Sequence, residues 1–98
     1  MKIYEELKIL TGLGKPNPDY VSKQISKCRE RIAEYDYEIA VFSCDIQMTR
    51  ASLSEKSYLE EEFVIGFNQS LYERERIMAK RDRAKGRLNK LERILENA

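Results

Sequence analysis

From Val21 onward, apolar side chains recur at Val21, Ile25, Cys28, Ile32, Tyr35, Ile39, Phe42, Ile46 and Leu53, with Thr49 in step, at alternating intervals of four and three residues. That spacing holds them on one stripe of a helix and is the heptad pattern of a coiled coil or helical bundle. A second row with the same spacing, Tyr37, Val41, Cys44, Met48 and Ala51, falls on a different side of the same helix. One partner helix covers one row and leaves the other open. Downstream, Leu59, Phe63, Phe67, Ser70, Leu71, Ile77, Met78, Ala84, Leu88, Leu91 and Leu95 trace a broader, less regular stripe that Arg74 and Arg81 interrupt.

Local signals divide this pattern into elements. Residues 2–11 form a short amphipathic helix with Ile3, Leu7 and Leu10 on one face and Tyr4 beside them, too short to be stable alone. Gly12, Gly14, Pro16 and Pro18 then break the helical pattern, so 12–17 reads as a linker. Asn17 before Pro18 fits an N-cap with proline in the first turn, and Asp19 adds a favourable negative charge there. A helix over 18–51 follows. Ser52 with Glu55, and Ser57 with Glu60, are possible capping boxes, which place a turn at 52–57 and a further helix over 55–96.

The expected fold is one all-α domain over 1–98. It is an antiparallel, coiled-coil-like helical hairpin with a short N-terminal helix, completed by a partner or a second copy. A single continuous helix over 18–96, pairing with another chain, stays open as an alternative. The heptad phase runs on unbroken through Lys56, Glu60, Phe63 and Phe67, and neither Gly nor Pro lies between Leu53 and Val64. It would carry Lys56, Glu60, Ser70, Arg74 and Arg81 into the seam, whereas a hairpin hides the weak stretch in a loop.

Composition narrows the chemistry. The 98 residues hold 18 Lys and Arg against 17 Asp and Glu, and no His. The commonest general base and neutral metal ligand is therefore absent. Two cysteines without histidine fall short of a structural zinc site, and no inward Glu-x-x-His pairs are available for a di-metal bundle. Gly12-Leu13-Gly14 lacks the strand and the Lys-Ser/Thr ending of a phosphate loop. The expectation is a non-enzymatic protein with no cofactor, no metal and no small-molecule substrate. Cys28 and Cys44, 16 residues apart, would stand about 24 Å apart on one helix, too far to pair. They read as reduced thiols. No apolar run approaches the length of a membrane span, and the N-terminus has no secretory apolar core. The expected location is cytoplasmic, with no membrane partner.

The near-zero net charge conceals a segregation. Residues 15–31 carry +3, 32–62 carry −6 and 63–98 carry +4. In a hairpin, the acidic block forms the turn end and the basic blocks meet at the open end. This points to a protein-protein interaction module, an adaptor, chaperone or small inhibitor binding itself or a larger protein. Tyr37, Val41, Cys44 and Met48 are its apolar interface candidates. Arg74, Arg76, Arg81, Arg83 and Arg87 are basic interface candidates. The alternative is a nucleic-acid-associated protein touching phosphates through the basic C-terminal helix, although no helix-turn-helix, finger or basic-zipper pattern is present.

Overall fold

The computed structural model describes the backbone of residues 2–55 and 61–97 and, within these, the side chains of 3–51 and 64–97. Three helices and no strand occur among the described residues: α1 (Lys2–Thr11), α2 (Pro18–Glu55) and α3 (Glu61–Glu96). The two long helices pack on each other as a hairpin, which sets aside the single continuous helix. The turn expected at 52–57 falls partly inside α2, which continues through Glu55; residues 56 and 57 lie outside the described residues. The helix expected over 55–96 is described from Glu61 to Glu96, and residues 56–60 lie outside the described residues. The serines near 52 lower helix propensity only slightly, and without Gly or Pro nothing there stops the helix.

Helix ends follow their local chemistry. Gly12 takes a left-handed φ of 70° and its N–H donates to the Lys8 carbonyl at 3.0 Å, closing α1. The Asn17 side chain accepts the Asp19 N–H at 2.9 Å, capping α2.

The chain divides into two compact units. The first comprises Met1–Ile32 and Arg83–Ala98. Its core is Ile9, Val21, Ile25, Cys28 and Leu91, with Tyr20, Leu88 and Ile94 packed against it. The second comprises Ala33–Asp82, where Ile46 and Ile77 are buried and Tyr35, Ile39, Phe42, Phe67 and Met78 are half-buried. The heptad seam of α2 thus faces inward in both units, as its period requires.

Within the second unit, three contacts set the register. Arg50 lies over the Phe67 ring, 5.9 Å from guanidinium carbon to centroid. Arg74 Nη1 reaches Ser43 Oγ at 3.5 Å, and Arg81 Nη1 donates to Asp36 at 3.1 Å. Each step moves back one heptad on α2 and forward one heptad on α3, as an antiparallel pair demands. The two arginines that interrupt the α3 stripe therefore occupy seam positions and lay their guanidinium groups across to α2, both residues half-buried.

Candidate functional site

The first unit is built around an ionic cluster. Arg87 donates to Glu6 Oε1 at 2.7 Å, Tyr20 donates its hydroxyl to the same oxygen, and Arg87 also approaches Gln24 Oε1 at 3.5 Å. The hydrogen bond from Arg87 holds the Glu6 carboxyl below its ordinary value, with Tyr20 adding to the effect against the opposing pull of burial. The same bond raises Arg87, and the hydrogen bond that the Tyr20 hydroxyl donates to Glu6, helped by burial, raises Tyr20. Glu5 accepts the Asn17 N–H at 2.6 Å, the main reason its carboxyl is also lowered.

This cluster decides how α1 lies. Glu5, Glu6 and Ile9 share one side of the helix, and that side docks, with Ile9 fully buried. The apolar stripe is consequently turned to solvent: Ile3 is 76% exposed, Tyr4 69%, Leu7 51% and Leu10 66%, and Leu13 just beyond is also exposed. The amphipathic helix is present, but its apolar face is left uncovered.

The second α2 row is uncovered too. Tyr37 is 72% exposed and Met48 67%, with Val41 and Cys44 exposed between them. Glu34, Glu38 and Asp45 flank this row, all exposed and without an ion-pair partner among the described residues. The basic candidates separate into two groups. Arg87 and Arg81 are occupied within the chain by Glu6 and by Asp36, and Arg74 is half-buried beside Ser43. Arg76 is exposed with a distant Glu73 at 3.9 Å, and Arg83 is exposed and unpaired among the described residues.

A groove of about 770 Å³ opens in the first unit between the end of α1, the linker and the last turns of α3. Its charged lining is Lys8, Lys15, Lys90 and Arg93 with no acid, and Gly86, Asn89 and Ile94 complete the α3 wall. Lys8 has a loose pair with Glu5 at 3.5 Å; the other three cations have none among the described residues. Lys90 and Arg93 belong to the basic C-terminal segment visible in the sequence, but Lys8 and Lys15 join them only through the way α1 folds back. By unit, 12 basic and 6 acidic residues give +6 in the first, and 6 basic and 11 acidic give −5 in the second.

Among the described residues no group of three metal-ligating side chains occurs, and no helix is long and apolar enough to cross a membrane. No protein family model, curated protein or solved structure matches the chain.

Proposed function

We propose that this chain is a non-enzymatic protein-protein interaction module, an adaptor, chaperone or small inhibitor. The observation that carries the reading is the pair of uncovered apolar rows, Ile3–Leu7–Leu10 on α1 and Tyr37–Val41–Met48 on α2, on a protein whose heptad seam is already satisfied internally. Contiguous apolar surface on a chain this small marks a surface that another macromolecule covers. Segregated charge adds orientation and speeds encounter. Two unpaired thiols, one of them exposed, are the cysteine usage of a reducing compartment and support action in the cytoplasm.

The test is capture from the native host with the wild type and with the Val41→Glu, Met48→Glu double variant side by side. A bound protein, or a second copy, retained by the wild type and lost by the variant supports the reading. Identical sets retained by both, or none by either, overturn it.

A second reading is favoured by the basic groove: Lys15, Lys90 and Arg93, with exposed Arg83 on the same unit, would neutralise phosphates without reading sequence. Binding of single-stranded or duplex oligonucleotides that weakens steeply across a salt series supports it. No binding at low salt removes it.

A further inference from the structure

We propose that the partner is a second copy of this chain, which lays its Tyr37–Val41–Cys44–Met48 row on the outward face of α1 and its acidic flank in the basic groove. Two such contacts, made reciprocally, would close a dimer. This deepens the interaction reading and rests on it.

Three features of the surfaces match. The first is pattern. Ile3, Leu7 and Leu10 repeat at intervals of four and three, as do Tyr37, Val41, Cys44 and Met48, so each row forms a ridge of the kind that packs helix on helix. The second is charge. On α1 both acids are turned inward and engaged, by Arg87 and Tyr20 for Glu6 and by the Asn17 N–H for Glu5. Next to Tyr4 around α1 stands Lys8, which lines the groove together with Lys15, Lys90 and Arg93. What borders the α2 row is Glu34, Glu38 and Asp45, exposed and unpaired among the described residues. An apolar lane beside a basic lane meets an apolar lane beside an acidic lane, which fixes a single register and disfavours each surface pairing with its own kind. At larger scale the +6 unit meets the −5 unit. The third is extent. The large apolar side chains of the α1 face leave an apolar patch on the order of a few hundred Å². One such contact is small, but two made reciprocally approach the roughly 800 Å² per partner that a stable pair needs.

Cys44 is exposed and Cys28 is buried, which supplies the test. In a Leu7→Cys variant under mild oxidation, reciprocal docking predicts a disulfide-linked dimer joining position 7 of one copy to Cys44 of the other, identified by peptide mapping. The link should vanish in Leu7→Cys, Cys44→Ser. A Cys44-to-Cys44 link in the wild type, or no link under conditions where Ellman's reagent shows both thiols accessible, overturns the arrangement. Leu7→Glu, whose site is exposed and whose helix content is checked by circular dichroism, should weaken self-association by about tenfold or more. A chain that stays monomeric yet captures a different protein through Met48 overturns the second copy and leaves the broader interaction reading standing. A chain that does neither overturns both.

Discussion

Arg87 and Glu6 lie 81 residues apart in sequence and 2.7 Å apart in space, and this one charged hydrogen bond ties the N-terminal helix to the last turns of the hairpin. Both side chains are about one-third exposed, so solvent screening trims the value of the pair. Arg87→Ala and Glu6→Gln are each expected to destabilise the first unit by about 1 kcal/mol. The double variant should cost less than the sum of the two. Chemical denaturation checks the energies, and amide exchange along α1 checks the location.

The same cluster sets a pH dependence. Glu5 and Glu6 have folded values below their unfolded ones. Between the two values the unfolded chain binds more protons, so stability rises with pH there. Their contribution is fully present above the unfolded carboxylate value of about 4.3 and is lost as pH falls through the lower folded values. Tyr20 has the opposite sense: raised in the folded chain, its contribution is lost as pH rises through its folded value, above about 10. Melting curves across pH should show an acid arm that Glu6→Gln flattens, and an alkaline arm that Tyr20→Phe flattens.

The hairpin register rests on arginines in an apolar seam, and the Nε atoms of Arg74 and Arg81 are both buried without a hydrogen-bond partner. Replacing such a group by a well-packed apolar side chain is neutral or stabilising. Arg74→Leu and Arg81→Leu are therefore expected to raise the melting temperature. Asp36→Ala, which leaves Arg81 in place without its 3.1 Å acceptor, should lower stability by about 0.5–1 kcal/mol. Lower melting temperatures for both leucine variants would count against the seam placement of these arginines.

The two thiols should differ in reactivity. Cys28, in the core of the first unit, should resist maleimide until the protein unfolds, while Cys44 should react at once in dilute solution. Docking of a second copy over the row predicts that Cys44 labelling slows as protein concentration rises. Rates independent of concentration would place Cys44 outside any self-contact.

The long helices were legible because period alone reports burial: every described residue of the Val21–Thr49 seam is buried or half-buried. The row through Tyr37, Val41 and Met48 was legible for the same reason, since a helix with two apolar rows and one partner leaves one uncovered. The orientation of α1 was not. A helical wheel locates the Ile3–Leu7–Leu10 stripe and the Glu5–Glu6–Ile9 side equally well, but which of them docks depends on Arg87 and Tyr20, distant in sequence and positioned only once the hairpin forms. The basic groove was hidden similarly, because Lys8 and Lys15 join Lys90 and Arg93 through the left-handed glycines at 12 and 14. α2 runs past the expected 51 through Glu55 because serine and glutamate favour a cap without forbidding helix.

Mass measured by light scattering over a range of concentration and salt bears most directly on the docking of two copies. Reciprocal docking predicts twice the 11.6 kDa of the chain at micromolar concentration, shifting toward the monomer with dilution, with added salt and in Leu7→Glu. A mass of 11.6 kDa at every concentration and salt would contradict it.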